Sequence, residues 1–280
     1  VQMRSHCQAL HGSSRIMLRL ALIAAIVGAA AAGGTTPVLS AVFTSASRGL
    51  AAVPTLQANP GSISRVALYT YTIGLIGANF SLPPTPYGLN FSQAVQKLTP
   101  PIGVTPIIAC GGTNAETNWK YADVWSEVFT KEAVTHGYSG YVMDMEISHS
   151  SRSPTMEAFV RFLDTFAGAL AAKNMTLQVI TRYDFPKSYI VRSTIESILS
   201  YDYTSEGGTL AYIEELTVKY PSKVGVMLAP AALWNATQFF GAVASQKPYS
   251  CKHLALWSDM SGLSASFLHE AANWLANRTA

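Results

Sequence analysis

Eight short apolar runs constrain this chain more than any other feature. They occupy residues 37–43, 65–71, 104–110, 137–146, 176–181, 198–202, 223–228 and 253–257, and most are rich in β-branched and aromatic side chains. Stretches with helical spacing fall between them, at 46–57, 90–98, 119–135, 210–220 and 233–245, and one follows the last, at 264–276. A further helix opens at Ser153-Pro154, a cap followed by a first-turn proline. Met156, Phe159, Val160, Leu163, Phe166 and Leu170 form its apolar stripe. Strands alternating with helices over this length predict an α/β fold, a single (β/α)8 TIM barrel. The rival is an open doubly wound sheet, but no Gly-x-Gly-x-x-Gly follows any strand. Residues 228–253 alone separate the last two strands, so no large insertion domain is expected and the groove is predicted to be open and shallow.

The fourth run, Gly137-Tyr138-Ser139-Gly140-Tyr141-Val142-Met143-Asp144-Met145-Glu146, ends in two acids. As a strand it places Val142, Asp144 and Glu146 on one face and Tyr141, Met143 and Met145 on the other, against a helix layer. Carboxylates inside a sheet are costly unless paired or used, and barrels of this kind build their sites at the C-terminal ends of the strands. Those ends carry Tyr69 and Tyr71, Gly111 and Gly112, Asp144 and Glu146, Arg182 to Asp184, Tyr201 to Tyr203, and Trp257 to Asp259. Acids beside tyrosines and a tryptophan, with no Cys/His metal spacing and no cofactor motif, point to carbohydrate chemistry. Aromatic faces pack on sugar rings and carboxylates move protons. Plainer roles stand beside these: Tyr201 and Trp257 as packing residues, Asp202 as a partner for a backbone amide, His149 as a solvated loop residue. The helical Trp119, Trp125, Trp234 and Trp274 read as packing.

Charge excludes one class. Three of the 19 basic residues fall in residues 1–32, which hold no acid, so Lys+Arg and Asp+Glu balance at 16 each beyond it. A neutral chain has no electrostatic footprint for nucleic acid. From Met17 an early arginine, a short apolar core and the small residues Ala30-Ala31-Ala32 read as a secretory signal peptide, too short for a stable membrane anchor. Residues 1–32 are therefore expected to be leader and signal, with Met17 as the start, and residues 33–280 the mature domain. Five sequons, at Asn79, Asn90, Asn174, Asn235 and Asn277, predict a secreted glycoprotein. Beyond the leader only Cys110 and Cys251 remain, expected at opposite ends of neighbouring strands and too far apart for a disulfide.

The chain also resembles glycoside hydrolase family 18, the chitinase-like barrels. That family's fourth strand carries Asp-Gly-x-Asp-x-Asp-x-Glu, against Ser139 to Glu146 here; its third strand ends in Ser-x-Gly-Gly, against Ala109-Cys110-Gly111-Gly112. Its sixth-strand Tyr-Asp aligns with Tyr201-Asp202 and its eighth-strand tryptophan with Trp257. The resemblance implies a retaining, substrate-assisted hydrolase of β-1,4-linked N-acetylglucosamine. Glu146 is then the general acid, Asp144 the partner of the acetamide N–H, Tyr201 a donor to the acetamide oxygen and Trp257 a subsite floor. Asp202, Gly111 and Gly112 then belong to the substrate site, and Tyr69, Arg182 and Asp184 read as cleft-liners from their strand-end places alone, Tyr69 among the substrate-binding candidates. Two nearby carboxyls also raise the pKa of the acid, since like charges resist ionising together.

Ser139 and Val142 stand where the family has aspartates. Val142 cannot share a proton with Asp144, which implies altered pH dependence and slow turnover. The alternative reading is a carbohydrate-binding, lectin-like barrel with little or no catalysis. A third is a two-carboxylate glycosidase, with Asp184, Asp202 or Asp259 as the second acid.

Overall fold

The computed structural model describes residues 37–73, 86–110, 119–145, 154–181, 195–202, 214–229, 235–244, 250–257 and 263–278. Its strands are β1 Val38–Phe43, β2 Arg65–Thr72, β3 Gly103–Val104, β4 Ile107–Cys110, β5 Gly140–Met145, β6 Thr176–Thr181, β7 Ser197–Asp202, β8 Val224–Leu228 and β9 His253–Trp257. Every pairing is parallel and the order is β1-β9-β8-β7-β6-β5-β4-β2-β3. A further pairing of β1 with β2 closes the ring. The fold is the expected (β/α)8 barrel.

The third strand comes in two pieces, not one. β3 and β4 flank Thr105-Pro106, and proline has no N–H for the ladder. Thr105 still donates to Val66 O at 2.9 Å, and Pro106 O accepts from Val142 N at 3.0 Å, so the register continues across the break. β4 neighbours β2 and β5, whereas β9 neighbours β1 and β8. Cys110 and Cys251 are thus not on adjacent strands, as the sequence suggested: two strands lie between. Cys251 is a buried free thiol, pushed up to about 12 by its burial.

Period-two alternation divides the core. Val42, Ala67, Ile107, Val142, Ile180, Met227 and Ala255 form one cluster inside the barrel, with Tyr69 and Trp257 packed on it. The alternate residues, among them Phe43, Leu68, Ile108, Tyr141, Met143, Val179, Val226 and Leu254, join the larger cluster beneath the helices. Those helices include α1 Ala46–Ala58, α2 Pro86–Gln96, α3 Ala122–His136 and α4 Pro154–Ala171. Residues 214–219 are helical, α5 Ala236–Gln238 runs into a π-turn over Phe239–Val243, and α6 Ala265–Ala276 follows.

Local chemistry sets the boundaries. Ser45 and Ser264 cap α1 and α6 by accepting from Arg48 N and Phe267 N. Gly137 ends α3 in the left-handed region at φ 66°, and Gln96 Nε2 donates to the carbonyls of His136 and Gly137. On α4, Phe159, Leu163, Phe166 and Leu170 of the predicted stripe are buried and Val160 is half-buried, Phe162 joins them, and the side chain of Met156 lies outside the described residues. Phe129 of α3 stacks with Phe166 of α4 and Tyr141 of β5 at 5.5 and 5.3 Å, and Tyr141 Oη donates to Phe129 O at 2.9 Å. Trp119, Trp125 and Trp274 are buried, while Trp234 lies outside the described residues. Among the described residues no helix is long and apolar enough to cross a membrane.

Below the apolar layer, toward the N-terminal ends of the strands, sits a polar plug that the sequence did not suggest. Arg65 forks onto Glu196, one bond being Nη2 to Oε1 at 2.6 Å, and Gln178 Nε2 reaches Glu196 Oε2 at 3.0 Å. His253 lies within hydrogen-bond reach of Ser197 Oγ at 2.9 Å and Ser40 Oγ at 3.3 Å. Burial drives the His253 imidazole down to about 4, with Glu196 opposing and Arg65 assisting. Burial acts to raise the Glu196 carboxyl, but Arg65 more than offsets it and the group ends below its ordinary range.

Candidate active site

β5 is anchored at its start by a residue that only glycine can supply. Gly140 has φ 147°, and a Cβ there would overlap the carbonyl oxygen of Thr176 on β6. From that point the strand alternates as its sequence implies. Tyr141 and Met143 face the helix layer, and Val142 joins the inner cluster at 1% exposure. Asp144 is one step higher, only 8% exposed, in register with Ala109 of β4 and Ile180 of β6. A carboxylate at that depth needs a donor.

Tyr69 is one: its hydroxyl donates to Asp144 Oδ2. The side chain comes from β2, with β4 lying between. A bulge in β2 sets its direction. Tyr69 pairs with Ile107 and Tyr71 with Ile108, so two residues of β2 advance against one of β4. Regular alternation would put both tyrosines on one face. The bulge instead turns Tyr71 outward, where it meets Phe129 at 5.7 Å, Tyr141 at 6.0 Å and the Tyr138 hydroxyl at 3.3 Å. Burial raises the phenols of Tyr71, Tyr138 and Tyr141 far above the physiological range, so all three are neutral packing and hydrogen-bonding groups. Tyr69 stays inside, its ring 6.2 Å from that of Trp257 at an interplanar angle of 74°. Edge-to-face contact of this kind holds both rings.

Three of the sequence-derived site residues are therefore drawn together above the apolar layer: Asp144, Tyr69 and Trp257. Tyr201 and Asp202 close β7, in register with Met227 and Leu228 of β8; their side chains lie outside the described residues. Glu146, Gly111 and Gly112 also lie outside them, as do His149, Arg182, Asp184 and Asp259. The direct bond from Tyr69 to Asp144 is what the sequence left unseen, because Tyr69-Thr70-Tyr71 reads as unbroken alternation. Among the described residues, no group of three His, Cys, Asp or Glu is placed to hold a metal ion.

Chemically, the arrangement offers a carboxylate sunk at the mouth of a barrel, held from one side by a neutral donor. Beside it is a wall of two aromatic rings. No family model matches the sequence, and no curated protein matches it. Solved structures do match. A family 18 chitinase from Flavobacterium johnsoniae superposes with TM-score 0.62 at 11% identity, over 87% of this chain and 95% of that one. The Cycas revoluta family 18 chitinase in complex with allosamidin gives TM-score 0.64 at 12% identity, over 85% and 99%. One from Pseudoalteromonas aurantia gives 0.61 at 14%, again over 85% and 99%. The fold is that of the family 18 chitinases. β3 and β4 together make the barrel's third strand, so β5 is its fourth.

Proposed function

We propose that this chain is a secreted glycoside hydrolase that cleaves β-1,4-linked N-acetylglucosamine in a chitin-like polymer or a glycan core. The observation that carries the reading is Asp144, buried at the C-terminal end of β5, bonded to Tyr69 and two residues ahead of Glu146. The chitinase-type fold supports it, and so do the N-acetylglucosamine oligomers bound by the Cycas revoluta enzyme. Residues 1–32 serve as leader and signal peptide, residues 33–280 as the mature domain, and the five sequons as glycosylation sites.

In this mechanism Glu146 gives its proton to the glycosidic oxygen as the bond to the anomeric carbon breaks. The substrate's own acetamide oxygen bonds to that carbon from the opposite face. Asp144, as a carboxylate, accepts the acetamide N–H and balances the positive charge of the cyclic intermediate. Tyr201 donates to the acetamide oxygen and Trp257 supports the sugar ring. Water then opens the intermediate, its proton passing to Glu146, which restores the acid and retains the configuration.

A second reading has its own support. Val142 is packed among Ile107 and Ile180, so the position beneath Asp144 carries no group that titrates. That suits a barrel which binds N-acetylglucosamine oligomers without cutting them. The deciding experiment is hydrolysis of a fluorogenic chitotriose from pH 3 to 8 by the full chain, expressed in a eukaryotic secretory host, with Glu146→Gln beside it. Turnover that Glu146→Gln abolishes, with oligosaccharide affinity retained, establishes the hydrolase. Binding without turnover in either protein establishes the lectin-like barrel, and neither binding nor turnover refutes both.

A further inference from the structure

We propose that Tyr69 is a positioning residue for Asp144, a neutral clamp in a site floored by the apolar Val142, Ile107 and Ile180. The inference rests on the glycosidase reading and adds a residue to its machinery. Three features of this chain carry it. Beneath Asp144 the barrel is closed by Val142, Ile107 and Ile180, which can neither donate nor share a proton. Beside it, in register on β4, Ala109 bears no hydroxyl. One donor comes from farther away, the Tyr69 hydroxyl. β2 is two strands from β5, a separation of about 9–10 Å, and a phenol is long enough to bridge it above a small residue such as Ala109.

The reach is built into the backbone. The bulge between Tyr69 and Tyr71 removes Tyr71 to the helix layer, leaving Tyr69 as the inward tyrosine of β2, and the edge-to-face contact with Trp257 limits its swing. A phenol hydroxyl donates to the charged form of a carboxyl and so favours it. Asp144 is thereby held ionised and aimed, ready for an acetamide N–H, without a shared proton below. Titratable groups on the surrounding elements include Tyr69 and Tyr71 on β2, Cys110 at the end of β4, Tyr141 on β5, Glu146 just beyond β5, and Tyr201 and Asp202 at the end of β7. Arg65, Glu196 and His253 sit in the polar plug beneath the apolar layer.

The test is Tyr69→Phe in the full chain, which keeps the ring against Trp257 and deletes only the hydroxyl. The Asp144 carboxyl is followed by carbon NMR of aspartate-labelled protein, assigned by its disappearance in Asp144→Asn. Loss of the donor raises the Asp144 titration midpoint by about one pH unit. With chitotriose, kcat falls about tenfold while KM stays within about twofold, and the acid limb of kcat/KM moves to higher pH. An unchanged midpoint overturns the proposal. A shifted midpoint with no turnover in either protein leaves the clamp standing and removes the hydrolase. Should Tyr69→Phe not fold, Asp144→Asn gives the reciprocal reading. Removing the neighbouring anion lowers the titration midpoint of Tyr69, seen at its labelled ring carbon, and no movement there overturns the proposal equally.

Discussion

His253 makes stability depend on pH in a way that can be worked out in advance. Its imidazole is buried in the polar plug beside Ser197, Ser40 and Gln178, and burial takes it down to about 4 from an ordinary 6.5. Between those two values the unfolded chain binds a proton that the folded chain refuses. Stability therefore rises with pH through this window and is lost as pH falls from about 6.5 toward 4. At about 1.36 kcal/mol per pH unit, the full effect is about 3 kcal/mol, of which about 2 kcal/mol is felt between pH 8 and pH 5. Glu196, held below its ordinary range, acts in the same direction but at lower pH. The perturbation is His253→Gln, which keeps a neutral hydrogen-bonding side chain at every pH. The assay is urea unfolding at pH 8 and pH 5 for both proteins. The wild-type chain loses about 2 kcal/mol more than the variant on that descent, or roughly 4–8 °C in Tm for a domain of this size. Equal losses would refute the reasoning, since the plug would then be admitting a proton without resistance.

Other expectations concern the frame of the site. Gly140→Ala forces a Cβ onto the Thr176 carbonyl at φ 147° and destabilises the fold by about 3 kcal/mol or more, read as a fall in denaturant midpoint. Phe166→Ala empties the contact that joins α3, α4 and Tyr141, at a loss of about 3–5 kcal/mol by the same measurement. Glu196→Gln leaves the partly exposed Arg65 without its charged partner and costs about 1–2 kcal/mol. A double-mutant cycle with Arg65→Met isolates that pair, and a coupling near zero would show it to be inert.

Much of this could be read in the residues because a barrel strand has a strict period of two. Tyr141 and Met143 against Val142 and Asp144 were separable on paper, and the structure puts them on opposite faces. So was the buried stripe of α4, since Phe159, Leu163, Phe166 and Leu170 recur at helical spacing. What escaped were features that arise only when distant strands meet. Tyr69-Thr70-Tyr71 shows no sign of a bulge, because the extra residue is defined by the partner strand. Pro106 splits the third strand because of where its missing N–H falls in the ladder. The plug draws on Ser40, Arg65, Gln178, Glu196, Ser197 and His253, scattered polar residues whose common level inside the barrel exists only once it closes. For the same reason Cys110 and Cys251 were placed too near each other.

Closure has a consequence for how the chain is made. Among the described strands β1 is the first in sequence and β9 the last, and β1 lies between β2 and β9. Until residues 253–257 emerge, β1 and β8 are both raw edges with unpaired N–H and C=O groups. The plug is unfinished as well, because Ser40 waits for His253 across 213 positions of sequence. The nascent barrel is thus an open, sticky ribbon until β9 is made, and any stop before β9 leaves it so. Quality control in the cell would see such a product as an aggregation template.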